Sequence, residues 1–271
     1  GWVEVSGEGG QSGYLWYLKS EGDTRVRFAD YLEMTMIEAE KTTVTAFNGH
    51  RSDNIVGTEG LLEAISTRGN KFDGLHKDDA QFTAAVGLSD FDLICKTFDK
   101  QGAIEEYMIF CNRDLAFAID DTLAGQYKSG SAGTSYGVFE NDENMALNLG
   151  FSGFRRGSYD FYKTDMKYLN DQSTRGGIKD VVNHVRGLFI PAGVTSVYDE
   201  QLGRNLKRPF LHVRYRASQM EDRRFKTWTT GSVGAATKDL DAMEMHYLSE
   251  RCLVVQGANN FLMMTGEANY S

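Results

Sequence analysis

The sequence predicts an α+β fold in which helices pack on a mixed sheet. Three observations support this prediction. The stretch from Ser89 to Tyr127 has the pattern of a helix, a short apolar strand and a second helix. A helical period begins at Ala29, after a strand-like start. Beyond residue 137 the chain turns to short apolar segments that are typical of strands.

Residues 1–28 predict an aromatic β-hairpin. Trp2–Val5 and Tyr14–Leu18 have strand composition, and Thr24–Phe28 alternates apolar with basic side chains after a glycine-containing turn. An isolated hairpin is only marginally stable in water. We therefore expect this aromatic surface to be covered, either by its own domain or by another subunit.

From Ala29 the apolar residues recur at helical spacing, which predicts a helix to about Phe47, ended by Asn48-Gly49. Such a helix is about 27 Å long. The threonines between residues 42 and 45 lower the helix propensity of its last turns. A glycine-containing loop and a short apolar segment, Gly60–Ile65, follow.

The stretch from Ser89 to Tyr127 begins with the most clearly amphipathic helix of the chain. Ser89 is placed to cap its start, and Gly102 lies just beyond its end. The apolar residues of one helical face are Phe91, Ile94, Cys95 and Phe98. This pattern predicts a helix that packs against a sheet.

A strand and a second helix complete this stretch. Tyr107–Cys111 is apolar on both faces and too short for a helix, which predicts a central strand covered on each side. Asn112 is placed to cap the helix that follows, and Gly125 is expected to end it.

The rest of the chain predicts a flexible loop and a return of strands. Lys128–Gly137 is rich in serine and glycine, as flexible loops are. The strand candidates after it are Met145–Phe151, Tyr159–Lys163, Gly187–Pro191, Pro209–Arg216, Cys252–Val255 and Phe261–Met264.

Composition and charge restrict the function. The chain is 41% hydrophobic and 25% charged, as ordinary globular proteins are. Its net charge of −9 argues against binding of nucleic acid over its whole surface. The three cysteines stand far apart with no CxxC spacing, so neither a zinc site nor a disulfide framework is indicated. No apolar run approaches the 18 residues of a membrane span.

Motifs for catalysis are weak. Gly133–Gly137 (GTSYG) matches the nucleophile elbow of α/β hydrolases, with Ser135 as the nucleophile, but a Ser/Gly loop precedes it where the motif needs a strand. The five histidines are dispersed and form no metal-binding spacing. We expect no catalytic residues, no cofactor and no metal, and we keep a hydrolase that uses Ser135 as the enzyme alternative. A secreted or adhesive β-rich binding module is a third possibility.

The order of elements resembles that of a known family. An aromatic hairpin is followed by a long helix, a glycine loop, a helix–strand–helix layer and a β-rich return. This order is similar to that of the major capsid proteins of tailed double-stranded DNA bacteriophages, which share the Hong Kong 97 fold. The segments that carry the resemblance are Phe47–Ile65, Met145–Asp171, Gly187–Gly193 and Ser249–Met264.

The resemblance implies a division of the chain into named domains. In that family an extended E-loop hairpin precedes the spine helix of a peripheral (P) domain, and an axial (A) domain follows. Residues 1–28 would then form the E-loop hairpin, and residues 29–60 the spine helix and crossover. Residues 61–187 would form the A-domain, residues 188–250 the sheet return of the P-domain, and residues 251–271 the strands that close the core.

The resemblance also implies a function without catalysis. The expected protein assembles with copies of itself into the hexamers and pentamers of an icosahedral head, which encloses genomic DNA without sequence-specific binding. Portal, scaffolding and decoration or auxiliary head proteins are the expected partners. The expected location is the virion, with assembly in the host cytoplasm and no membrane contact. The candidate intersubunit residues are Trp16, Arg25 and Arg27, where the arginines would meet acidic groups of a neighbour.

Overall fold

The computed structural model describes most of the chain. The described residues are 2–6, 12–16, 19–41, 43–44, 55–56, 58–76, 81–128, 152–170, 185–199, 203–231 and 242–266. Chain contacts divide the protein into two compact units. Unit 1 comprises Gly1–Gly60 and Val213–Leu253, and unit 2 comprises Leu61–His212 and Val254–Ser271.

Helices and strands are both well represented, which confirms the α+β prediction at that level. The α-helices of the described residues are α1 Lys19–Glu38, α2 Leu61–Arg68, α3 Ala84–Gln101 and α4 Arg113–Lys128. The strands are β1 Trp2–Ser6, β2 Ser12–Trp16, β3 Thr43–Val44, β4 Ile55–Val56, β5 Asn70–Asp73, β6 Glu106–Cys111, β7 Gly153–Arg156, β8 Tyr159–Asp165, β9 Val185–Pro191, β10 Val194–Asp199, β11 Arg204–Pro209, β12 Leu211–Tyr215, β13 Lys226–Gly231, β14 Met243–Leu248, β15 Arg251–Val255 and β16 Leu262–Thr265.

Unit 2 is built on a six-stranded mixed sheet with the order β5-β16-β9-β6-β8-β7. The pairs β16–β5 and β6–β8 are parallel, and the other three pairs are antiparallel. Helices α3 and α4 lie against each other and against this sheet, and α2 contacts β5 and β16. The layer of helix, strand and helix predicted from the sequence is therefore the centre of unit 2.

The core of unit 2 is aromatic where α3 meets the sheet. Phe98 stacks on Tyr107 with a centroid distance of 4.1 Å, and Phe91 meets the edge of Phe154 at 5.0 Å. Phe161 and Phe189 extend the same cluster. Rings in offset or edge-on contact add stabilisation beyond the area that they bury.

The start of α3 differs from the prediction, and its end agrees. The helix begins five residues before Ser89, because the hydroxyl of Thr83 accepts a hydrogen bond from Val86 N at 3.3 Å and caps it there. Gly102 adopts the left-handed conformation (φ 63°) that ends a helix, as predicted. Ser89 was therefore wrong as the capping residue, because Thr83, six residues upstream, caps the helix instead.

The strand β6 is central, but it is not covered equally on both sides. It lies between β9 and β8. Tyr107, Ile109 and Cys111 are fully buried, whereas Met108 on the opposite face is exposed. The prediction of a strand covered on each side was wrong, because α3 and α4 both pack on the same face of the sheet.

The helix α4 begins as predicted and ends later. Asn112 accepts a hydrogen bond from Leu115 N at 2.8 Å, which confirms it as the capping residue. The helix continues past Gly125 to Lys128. A side chain at Gly125 would collide with the Cβ of Ala84, so this glycine permits close packing of α4 on α3 and does not end the helix.

In unit 1 the long helix is displaced from its predicted place. α1 spans residues 19–38, where the sequence predicted a strand for Thr24–Phe28 and a helix from Ala29 to Phe47. Thr43–Val44 forms β3, which pairs with Ile55–Val56 of β4. The helix ends at Glu38, before the threonines, and Thr43 takes part in a strand, which suits its β-branched side chain. The period-two pattern of only five residues was too short to define a strand.

The N-terminal hairpin exists but is shorter than predicted. β1 pairs with β2 from Trp2↔Trp16 to Ser6↔Ser12, so residues 19–28 are not part of it. Unit 1 also contains an antiparallel pair of β13 and β14. The division into an E-loop, a P-domain and an A-domain stays a prediction.

The strands of the return follow the sequence prediction where the structure describes them. β8, β9, β12, β15 and β16 each overlap a predicted strand. The predicted strand Met145–Phe151 and residues 129–137 of the predicted loop lie outside the described residues. The pairs β10–β11 and β13–β14 were not predicted. No helix in the described part of the chain is long and apolar enough to cross a membrane.

Candidate subunit-contact surfaces

The structure separates the three residues that the sequence placed at a subunit contact. Trp16 is the last residue of β2, where its backbone pairs with Trp2. Arg25 and Arg27 lie on α1 and not on a strand. Because two steps along a helix turn about 200° around its axis, these two side chains leave the helix on nearly opposite sides.

One side of α1 packs within unit 1. The ring of Phe28 lies 5.6 Å from that of Phe225 and 5.8 Å from that of Tyr247, between centroids. The guanidinium carbon of Arg25 lies 5.4 Å from the Phe225 ring centroid, in cation–π geometry. The Tyr247 hydroxyl donates a hydrogen bond to the Glu21 carbonyl at 3.4 Å. Arg25 therefore contacts an aromatic ring inside its own unit, although both Arg25 and Arg27 are exposed.

The opposite side of α1 carries an exposed acidic stripe. Asp23, Val26, Asp30 and Glu33 recur at spacings of three and four residues, so they share one face, roughly opposite Phe28. We call these four residues the α1 stripe. All four are exposed, Val26 to 59%. Its three carboxylates make no ion pair or side-chain hydrogen bond with any residue that the structure describes.

A second exposed surface lies in unit 2, where β10 and β11 form an antiparallel ribbon. Its register runs from Val194↔Pro209 to Asp199↔Arg204, and neither strand pairs with any other described strand. Arg204, Lys207 and Arg208 are exposed, and they too make no ion pair with a described residue. We call this pair of strands the basic ribbon. Val194 is 55% exposed on it.

The basic ribbon has a signal in the sequence that motif analysis missed. Residues 203–216 hold five of the chain's 29 basic residues and no acidic residue, although the whole chain carries a net charge of −9. A search for local reversals of charge sign would have found this segment. Adjacent basic pairs are a more obvious signal, and the sequence has them at Arg155-Arg156 and Arg223-Arg224.

Those basic pairs are engaged within the chain. Arg155 donates to Asp160 at 2.5 and 2.8 Å, and Arg156 donates to Asp92 at 2.6 and 2.8 Å. The guanidinium carbon of Arg224 lies 5.8 Å from the Tyr215 ring centroid. A charge that already has a partner adds less to an external contact, so these residues are weaker candidates than the ribbon.

The other arginines of the same region are also paired. The guanidinium carbon of Arg251 lies 5.4 Å from the Tyr215 ring centroid. Arg216 Nη1 lies 2.9 Å from Glu250 Oε1, and Arg223 Nη1 lies 3.7 Å from Glu250 Oε2. This arginine–aromatic cluster ties the loop before β13 to the turn before β15 within unit 1.

The interior of unit 2 contains an ion pair that binds a helix to the sheet. Lys163 Nζ lies 2.6 Å from Asp120 Oδ1, and their side chains are only 8% and 15% exposed. Lys163 belongs to β8 and Asp120 to α4. Breaking such a buried pair leaves one charge uncompensated, at a cost of about 3–5 kcal/mol. The pair fixes the position of α4 on the sheet.

Two cysteines are held in an unreactive state. Burial raises the pKa of the Cys95 thiol to about 11 and that of the Cys111 thiol to about 12. Because the thiolate is the nucleophile, both side chains are inert near neutral pH. All three cysteines are free, and Cys252 is exposed.

A polar network at the end of β5 has a structural role. Leu75 has a left-handed backbone (φ 56°), which is strained for a side chain of this kind. Its N–H donates to Asp90 Oδ2 at 2.9 Å, and buried Arg186 donates to the carbonyls of Gly74 and Leu75 at 2.7 Å each. These bonds stabilise the turn, and we assign them no catalytic role.

No catalytic or metal-binding constellation stands out in the part of the chain that the structure describes. The described residues contain no group of three or more His, Cys, Asp or Glu side chains that could hold a metal ion. Ser135, the nucleophile of the enzyme alternative, lies outside the described residues. The exposed α1 stripe and the basic ribbon are therefore candidate contact surfaces.

The chain matches no model of a known protein family, and no curated protein matches it.

Proposed function

We propose that the chain is a structural shell protein, a major capsid protein of a tailed double-stranded DNA bacteriophage, and not an enzyme. In this proposal copies of the chain form the hexamers and pentamers of an icosahedral head. Portal, scaffolding and decoration or auxiliary proteins join the head, which forms in the host cytoplasm and becomes part of the virion. The basis is the resemblance in the order of elements, together with uncovered surfaces that a second subunit would bury.

The observation that carries the proposal is the incomplete burial of α1. This helix has 20 residues and none of them is buried. Helices owe most of their stability in proteins to the packing of an apolar face, since isolated helices are marginal in water. Val26 and Tyr31 are 59% and 66% exposed on it. A partner that covers α1 would supply the missing packing, and copies of the same chain are the partners that a shell provides.

Two-stranded ribbons support the same interpretation. Among the described strands, β1 pairs only with β2, and β10 only with β11. A two-stranded ribbon is marginal by itself and leaves hydrogen-bonding groups open along both edges. Contacts with neighbouring subunits would stabilise both ribbons. In the proposal, Trp16 on β2 and Arg27 on α1 remain candidate contact residues, whereas Arg25 also serves the packing of its own unit.

Negative-stain microscopy and sedimentation velocity of the purified chain test the proposal. We expect closed shells, tubes or hexamers whose fraction rises with protein concentration. A sample that stays monomeric over the whole concentration range and in the presence of candidate scaffolding partners contradicts it.

A pair of double variants tests whether α1 is the contact. Val26→Ser with Tyr31→Ser removes two exposed apolar side chains from α1, so we expect lower assembly and unchanged circular dichroism. Val86→Ser with Leu93→Ser removes two side chains of α3 that are 45% and 48% exposed, and it serves as the matched control. Equal losses of assembly in both variants would show that α1 has no special role.

A further inference from the structure

The α1 stripe and the basic ribbon have opposite signs. The α1 stripe presents three carboxylates, and the basic ribbon presents Arg204, Lys207 and Arg208. None of these six charged groups has an ion-pair partner among the described residues. Most other exposed arginines described above already contact a carboxylate or an aromatic ring. Charge complementarity therefore singles out these two surfaces.

The α1 stripe and the basic ribbon also have similar lengths. Arg204 and Arg208 lie four residues apart on one face of β11, which is about 13 Å at the rise of a strand. Asp23 and Glu33 are separated by ten residues of α1, which is about 15 Å at the rise of a helix. A basic ribbon laid along the α1 stripe would thus place cations along the length that the carboxylates occupy.

Apolar groups lie within the same two surfaces. Val26 is in the middle of the α1 stripe. On the ribbon, Val194 and its partner Pro209 share the face of Lys207, and Arg204 and Arg208 lie on the other face. Both valines are more than half exposed. An interface needs apolar contact as well as charge, because exposed ion pairs alone contribute about 0–1 kcal/mol each. A contact along the edge of β11 that pairs with no described strand meets this requirement, because side chains from both faces of the strand, the exposed Pro209 among them, flank that edge.

We infer that the basic ribbon of one copy docks on the α1 stripe of a second copy. The inference rests on the proposed function, because it names the contact through which identical chains would associate. A second copy is favoured over another acidic partner because every copy supplies both surfaces in equal number. Such a contact joins two different patches and is therefore heterologous, which permits rings and larger shells.

A charge-swap cycle tests this contact. Arg204→Glu with Arg208→Glu reverses the ribbon, and Asp30→Lys with Glu33→Lys reverses the stripe. We expect each double variant to raise the concentration needed for half-assembly by about tenfold or more. The quadruple variant restores opposite signs and the parent net charge, so we expect it to assemble close to the parent level. Lys71→Glu with Lys100→Glu is the control for the ribbon variant, because it changes net charge equally at other exposed positions.

The outcomes separate the inference from the proposed function. If the parent chain assembles and the reversed variants assemble equally well, the inference is wrong and the proposed function stands. If the variants fail and the quadruple variant is not rescued, the two surfaces do not contact each other. If assembly is unchanged but the ribbon variant retains less DNA, the ribbon binds nucleic acid and the inference is overturned. If the parent itself never assembles, the proposed function fails.

Cross-linking of the parent protein tests the same contact without substitutions, so the misfolding of a variant cannot explain its result. Zero-length carbodiimide cross-linking joins lysine to carboxylate, so it should link Lys207 to Asp23, Asp30 or Glu33 in the assembled parent. Mixing ¹⁴N and ¹⁵N protein before cross-linking marks links between different copies by mass spectrometry. We expect mixed-isotope links between these peptides. Links found only within single copies would overturn the inference.

Discussion

Two helices of similar length, α1 in unit 1 and α3 in unit 2, differ sharply in burial. α3 buries Gly87, Phe91, Ile94 and Phe98, whereas α1 buries none of its residues. The difference follows from what each helix packs on. α3 lies on a six-stranded sheet, and α1 contacts β14 of a two-stranded ribbon. Two strands about 5 Å apart offer a surface narrower than a helix of about 10 Å diameter, so the flanks of α1 stay uncovered.

This contrast shows that unit 2 buries an apolar core, whereas α1 exposes surface that a partner could cover. The largest stability effects should therefore arise in unit 2, and the largest assembly effects at the uncovered surface of α1. The following changes test that distinction in order of expected size.

Phe98→Ala should destabilise the chain most. Phe98 is fully buried and stacks on Tyr107, so we expect its removal to lower the free energy of unfolding by about 3–5 kcal/mol. Urea denaturation followed by circular dichroism measures this change. Leu93→Ala on the same helix is the control, with a loss of about 1 kcal/mol or less because Leu93 is 48% exposed. Equal losses would mean that α3 does not pack as described.

Phe28→Ala should have a smaller effect on the unassembled protein. Phe28 is half-buried against Phe225 and Tyr247, so we expect a loss of about 1–2 kcal/mol in the free energy of unfolding. The measurement is the same urea titration, at a concentration where sedimentation shows monomers. A loss as large as that of Phe98→Ala would break the comparison, since it would show that α1 already has a complete core.

The smallest effect should appear with pH, at the ion pair of Asp92 and Arg156 in unit 2. The hydrogen bonds from Arg156 lower the pKa of Asp92 below its ordinary value of 3.8. A carboxylate with a lowered folded-state pKa stabilises the protein above its ordinary pKa, and this contribution is lost as pH falls through the folded-state value. Asp92→Asn should therefore lose less stability than the parent between about pH 5 and pH 2.

Urea titrations of both proteins at several pH values measure that difference. The effect should be small, because the Asp92 side chain is 40% exposed and solvent screens the pair. Asp30→Asn is the control, since it removes an exposed carboxylate that has no ion pair among the described residues. If Asp92→Asn and the parent lose stability equally as pH falls, the ion pair does not contribute in solution.

Local signals in the sequence were sufficient for much of unit 2. Gly102 and Asn112 act at the helix ends as predicted, because a left-handed glycine and a side-chain cap depend on neighbours within a few residues. The apolar face of Phe91, Ile94 and Phe98 is likewise set by helical periodicity alone. These features require no knowledge of distant parts of the chain.

Other features depended on contacts distant in sequence. The sequence predicted that Gly125 ends the helix, but it lies inside α4. A glycine is needed there because α3 approaches so closely that a side chain would collide with Ala84. The pattern of β6 suggested cover on both faces, but only the placement of α3 and α4 decides which face is buried. Arg25 and Arg27 would share one face on a strand, but on α1 their side chains leave the helix on nearly opposite sides. Their role at a subunit contact stays a prediction.

By itself the sequence determined the class of fold, the ends of two helices in unit 2, several strands of the return and the sign of charge along each segment. These follow from spacing, capping and composition, which act over a few residues. Only the tertiary structure decided that α1 lacks a buried face and that the basic ribbon pairs only with itself among the described strands. Both facts concern which surfaces remain uncovered, and a surface is uncovered only in relation to everything that packs around it.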